Sequence, residues 1–205
     1  MTTERKRDNR RAELRMRTTT QGGSVVAVGI LFLLIGLIGG AMLARPSSTP
    51  ATATTGTAHV YLTVAYNPYT GMDEYFPANF TVPANVPVII TITNYDNGTN
   101  TVPSYYASVR GTVGGTETVT DATAADATLT SVPATEVAHT FTIMSGSLDV
   151  NVPIPAAQGT TPAVATFTLQ FSQPGLINWH CMAPCDGYAM STPGFMTGTI
   201  TVVSG

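Results

Sequence analysis

From residue 58 onward the chain consists of short runs rich in Val, Ile, Thr, Tyr and Phe, each cut by Pro, Gly, Asn or Asp, with almost no helical periodicity. Such a pattern offers no helix a continuous apolar face, and it predicts short strands joined by turns. Strands are expected at about 58–66, 76–82, 86–94, 137–144, 164–171, 176–181 and 196–203. Within 86–94, Val88, Ile90, Ile92 and Asn94 fall on one face, as the two-residue period of a strand requires. Within 164–171, Val164, Thr166, Thr168 and Phe171 do not alternate cleanly. The number and spacing of the runs predict an all-β, Greek-key sandwich. Residues 98–135 are too long for an ordinary connection and imply an extra hairpin or a surface insertion.

What precedes this domain is different in kind. Residues 1–24 form a basic tail of net charge +4. Residues 25–44, VVAVGILFLLIGLIGGAMLA, carry no charge and, as a helix, would span about 30 Å, the thickness of a bilayer's hydrocarbon core. A cleaved leader peptide shares this layout of basic head and apolar run. The run is long for one, however, and Ala44-Arg45-Pro46 is a poor cleavage site. The expectation is one uncleaved transmembrane helix with a cytoplasmic tail. Residues 45–57, rich in Pro, Ser, Thr and Ala, read as a stalk. The domain at 58–205 would then stand outside the cytoplasm, at the cell membrane.

Residues 46–205 hold nine acids, no lysine and one arginine, Arg110, a net charge of −8. Nucleic acid needs a basic footprint and is excluded as a partner. A basic docking partner suits the surface, and so does a strongly acidic medium in which the few carboxylates are neutral. Asn79-Phe80-Thr81 and Asn97-Gly98-Thr99 match the three-residue glycosylation pattern, which occurs often by chance and implies exposure at most.

The chemistry is concentrated near the end, in Trp179-His180-Cys181-Met182-Ala183-Pro184-Cys185 and Met196-Thr197-Gly198. The only two cysteines lie four residues apart beside thioethers, and thiolate and thioether are the soft donors that copper selects. The other reading of the pair is a disulfide, which persists outside the cytoplasm. His180 adjoins Cys181, but neighbouring strand residues face opposite ways, so it points away if Cys181 points in. Trp179 shares the face of Cys181 and is expected beneath it. Met144 and Met182 read as packing residues, and His59 as exposed. No serine–histidine–acid grouping or phosphate loop occurs, so independent catalysis is not expected.

Three segments resemble the cupredoxins: 75–85 with the strand ending Asn94-Tyr95-Asp96; Val137-Ala138-His139-Thr140-Phe141-Thr142-Ile143; and Phe171-Ser172-Gln173-Pro174-Gly175 leading to Cys181 and Met196-Thr197-Gly198. Cys181-x-x-x-Cys185 resembles the CuA-type domain of subunit II of haem–copper oxidases, where two bridging thiolates, two histidines and a methionine hold two copper ions. The resemblance implies a cupredoxin-like sandwich with His139, Cys181, Cys185 and Met196 as metal ligands, and the Ala183 carbonyl beside them. It implies copper as the cofactor, electron transfer as the function, and a haem-bearing oxidase subunit and a small electron-donor protein as partners. The pattern departs at the second histidine, where this chain has Ala189. Met190 or Asp186 could substitute, the site could be mononuclear, or the domain could be copper-free with a Cys181–Cys185 disulfide.

Overall fold

The computed structural model describes residues 56–205. The tail, the apolar run and nearly all of the stalk lie outside the described residues. Among the described residues no helix is long and apolar enough to cross a membrane.

Eleven strands follow one another: β1 (Ala58–Asn67), β2 (Met72–Phe76), β3 (Phe80–Pro83), β4 (Pro87–Asn94), β5 (Glu117–Thr120), β6 (Ala127–Leu129), β7 (Val137–Ser145), β8 (Leu148–Pro155), β9 (Ala163–Gln170), β10 (Gly175–His180) and β11 (Thr197–Val203). Two short helices, α1 (Ser104–Ala107) and α2 (Gly187–Ser191), sit in the connections. One sheet runs β2-β1-β4-β9-β5-β6 and the other β3-β11-β10-β7-β8. β1 pairs β4 in parallel and β3 pairs β11 in parallel, while every other pairing is antiparallel. The chain crosses between sheets from β8 to β9 and back to β10, which lands beside β7. These are the crossings expected of a Greek-key sandwich.

Register places the apolar face of each strand beside that of its neighbour. Leu62 lies opposite Ile92, and Ile90 opposite Phe167. Val88, Ile90, Ile92 and Asn94 are all fully buried, as their alternation predicts. β9 alternates as well, but through Ala163, Ala165, Phe167 and Leu169. Its buried face is half alanine while Val164, Thr166 and Thr168 face out, so hydrophobicity alone obscures the phase. In the second sheet Phe141 stacks on Trp179, with centroids 5.1 Å apart, and meets Phe167 of the first sheet at 5.7 Å.

The expected strand at 76–82 is broken. Phe76 ends β2 in one sheet, and β3 begins at Phe80 in the other. Residues 98–135 form both a hairpin and an insertion. β5 and β6 extend the first sheet beyond β9. Residues 100–110 run beside 130–137, tied by Asn100 N–H to Val137 O at 2.7 Å, Val132 N–H to Ala107 O at 2.9 Å and Val109 N–H to Thr130 O at 2.8 Å. Arg110 then bridges to Asn151 at the free edge of β8. This segment helps explain why Val137–Ile143 of β7 is buried on both faces.

Two positions carry measurable consequences. Gly198 faces Trp179 in the register, and Trp179 Nε1–H donates to Ala78 O at 2.9 Å. A Cβ on Gly198 would collide with that carbonyl and approach the indole nitrogen to 2.8 Å. Gly198→Ala should therefore cost about 1–3 kcal/mol or more in urea unfolding. Glu117, on the inward face of β5, is buried and neither carboxyl oxygen has a hydrogen-bond partner. Burial pushes its pKa well above the ordinary 4.5. Above that value the unfolded chain ionises while the folded chain holds the proton, so stability is full at lower pH and falls as pH rises toward the folded pKa. Glu117→Gln should be more stable than the parent at about pH 7, with the difference lost at about pH 3.5.

Candidate metal centre

β10 ends at His180, its last residue paired with β7, opposite Thr142. Beyond this point side chains replace the ladder. Thr140 Oγ1 accepts the Met182 N–H at 2.7 Å, while the Thr140 N–H points to Cys181 Sγ at 3.4 Å. Thr140 O accepts the Tyr75 hydroxyl at 3.2 Å. Each hydroxyl has one proton, so the contacts run in one direction. Thr140 donates to Thr142 Oγ1 (2.9 Å) and Thr142 donates to Asn151 Oδ1 (2.8 Å). The Asn151 amide completes the chain by donating to the Tyr106 and Ser108 carbonyls at 3.0 and 2.8 Å. Every member of this buried network is satisfied, the condition under which such a network adds rigidity.

The cysteine loop closes on itself through Cys185 N–H to Ala183 O at 2.7 Å, and it is joined to the residue preceding β11 by Cys181 N–H to Met196 O at 2.7 Å. The two sulfurs stand 3.4 Å apart as free thiols. A disulfide bond would hold them at about 2.05 Å. His139 lies 3.2 Å from Cys185 Sγ and 4.0 Å from Cys181 Sγ through Nδ1. Its Nε2 is 3.1 Å from Asp96 Oδ2. One imidazole thus joins two clusters, His139–Cys181–Cys185 and Asp73–Asp96–His139, each with donor atoms within 4.8 Å of one another.

Electrostatics follow from this packing. Burial acts to strip the proton from His139, but Asp96 and Cys181 retain it and raise its pKa to about 9. Burial also disfavours a charge on Cys181, yet hydrogen bonds from Cys185 and His139 bring its thiol well below the ordinary 9.0. Cys185 moves up, chiefly because it donates to Cys181 and is itself buried. Within the centre the proton is thus favoured on His139 and Cys185 and disfavoured on Cys181. A soft metal ion would displace those protons and take the two sulfurs and Nδ1.

No family model matches the chain, and no curated protein matches it. Solved structures similar to it include rusticyanin from Thiobacillus ferrooxidans, at 15% identity over 72% of this chain and 77% of that one, TM-score 0.38. Reduced rusticyanin aligns at 17% identity over 72% and 79%, TM-score 0.37. Reduced auracyanin from Roseiflexus castenholzii aligns at 13% identity over 72% and 99%, TM-score 0.38.

Three of the residues that the resemblance implies as ligands, His139, Cys181 and Cys185, lie in one cluster. Met196 is fully buried with its backbone bonded to Cys181. His180 points away and is exposed, with Nδ1 2.9 Å from Thr197 Oγ1. Trp179 is buried in the core next to Tyr75, with centroids 4.8 Å apart. Met144, expected to pack, is half exposed because β7 leaves the core after Ile143. Ala189 is buried in α2, and its carbonyl accepts the Met196 N–H at 3.2 Å. Asp186 is occupied as the N-cap of α2, accepting the Tyr188 and Ala189 N–H groups. Asp73 and Asp96 escaped sequence reasoning. The only trace of Asp96 was its place in Asn94-Tyr95-Asp96, at a strand end.

Thr140→Val removes the acceptor for the Met182 N–H and should cost about 1–3 kcal/mol by urea unfolding, with faster amide exchange at Met182. Thr140→Ser, which keeps the hydroxyl, should retain most of both.

Proposed function

We propose that this domain is a cupredoxin-like copper electron-transfer module, with His139, Cys181, Cys185 and Met196 as ligands. The carrying observation is the convergence of His139 Nδ1 with two free sulfurs in one cluster, in which His139 and Cys181 are buried and Cys185 is half-buried. An N,S,S donor set is soft enough to favour copper, and burial in a rigid frame suits a site that must change oxidation state without rearranging. The chain's own part is to orient these donors and exclude water from them.

In this reading the protein is held at the membrane by residues 25–44, with the domain outside the cytoplasm. Its role is like that of subunit II of a haem–copper respiratory oxidase, taking electrons from a small donor protein and passing them to a haem-bearing subunit. The close thiol pair favours a dinuclear, CuA-like centre. A specific observation favours a mononuclear one: the cluster contains a single imidazole, and the position of the missing histidine is a buried alanine.

Metal analysis and electron spin resonance on the full chain purified without chelators test both. The dinuclear centre should give two coppers per chain and a mixed-valence signal spread over both nuclei. One copper with a single-nucleus signal would establish the mononuclear alternative. No copper, with both thiols lost to oxidation, would overturn the proposal. Cys185→Ser should abolish the dinuclear signal, and Cys181→Ser should abolish tight copper binding.

A further inference from the structure

We propose that Asp96 is the positioning residue for His139, fixing the ring so that Nδ1 faces the sulfurs. The inference rests on the copper reading for its consequences, but the geometry stands without metal. Asp96 lies just beyond β4 and is held on several sides. Its N–H donates to Asn94 Oδ1 at 3.0 Å, and its carbonyl accepts Asn94 Nδ2 at 3.0 Å and the Ala157 N–H at 2.8 Å. Asn94 is itself fully buried and anchored by Nδ2 to Pro155 O at 2.8 Å.

The carboxylate is then divided between two tasks. Oδ1 accepts the Gly98 N–H at 2.9 Å, leaving Oδ2 to face His139 Nε2 at 3.1 Å. A Cβ on residue 98 would sit 3.2 Å from Oδ2, tighter than ordinary contact, so glycine eases this approach. A neutral imidazole has one N–H. With that proton on Nε2 and donated to Asp96, the Nδ1 lone pair is left for a metal. Partners of this kind set the tautomer and basicity of a histidine ligand. Asp73, the other nearby carboxylate, makes no hydrogen bond to the ring but contributes the same charge within 4.8 Å.

The test compares Asp96→Ala, Asp96→Asn and Asp73→Asn in the full chain. In the metal-free parent, the His139 Nε2–H should appear as a slowly exchanging, far-downfield proton resonance. It should vanish in Asp96→Ala and persist, shifted, in Asp96→Asn and Asp73→Asn. Cuprous-ion affinity, measured by competition with a chromogenic chelator, should fall about 10–100-fold in Asp96→Ala. It should stay within a few-fold of the parent in Asp73→Asn. Both asparagine variants should ease reduction of the copper, because each removes a negative charge that favours the higher oxidation state. Should Asp96→Ala keep both the resonance and the affinity, Asp96 does not position the ring. If Asp73→Asn weakens copper as much as Asp96→Ala, charge alone is at work and the positioning role is overturned. A parent chain that shows the resonance but binds no copper would sink the copper reading and leave the positioning of His139 intact.

Discussion

The site depends on how β7 and β10 separate. Two antiparallel strands that stayed paired would use the Thr140 N–H in a ladder bond and leave no room for sulfur between them. Here the ladder stops at His180 opposite Thr142. Thr140 then supports the diverging chain with all three of its polar groups: the N–H toward Cys181 Sγ, the carbonyl to Tyr75, and the hydroxyl to the Met182 N–H. Splaying two strands exposes backbone groups that burial would penalise. Thr140 meets that demand and at the same time places Cys181 beside His139.

The insertion between β4 and β7 serves the same end. Thr140, Thr142 and Asn151 lie on the face of the second sheet turned away from the aromatic core, and all three are buried. Polar residues can be buried there only because the carbonyls of Tyr106 and Ser108 accept the last protons of the chain. The long segment is thus structural: it closes a hydrogen-bonded path that begins at the cysteine loop.

Much of this was legible beforehand, for physical reasons that differ by element. β4 announced itself because large apolar residues occupy its buried face. β9 concealed its phase because Ala163 and Ala165 take the inner positions while Val164 faces out. β8 went unseen because Leu148–Pro155 holds two prolines and an asparagine, residues that ordinarily mark turns; here Pro153 and Pro155 sit at the sheet edge and Asn151 is buried by its partners. For the site, the two thiols could be named from the sequence because they are the only cysteines, while His139 and Met196 were singled out by the family resemblance. Asp96 and Asp73 could not. A carboxylate becomes part of a site only through where the fold puts it, and surface acids are otherwise alike.

Ala189 is where sequence and structure bear on each other most closely. The resemblance to CuA-type domains expects a histidine at this position, but in the fold Ala189 does structural work. Its N–H is capped by Asp186, and its carbonyl accepts from the N–H of Met196, just before β11; the Met196 carbonyl accepts from Cys181. The loop is therefore braced at this position by backbone bonds. Asp186, being the cap, cannot leave to serve as a ligand without uncovering the first turn of α2. Around His139, Cys181 and Cys185 several bonds do not involve a metal-facing atom: Cys181 N–H to Met196 O, Cys185 N–H to Ala183 O, and His139 Nε2 to Asp96 Oδ2. An ion entering such a cluster would meet a backbone that is already braced.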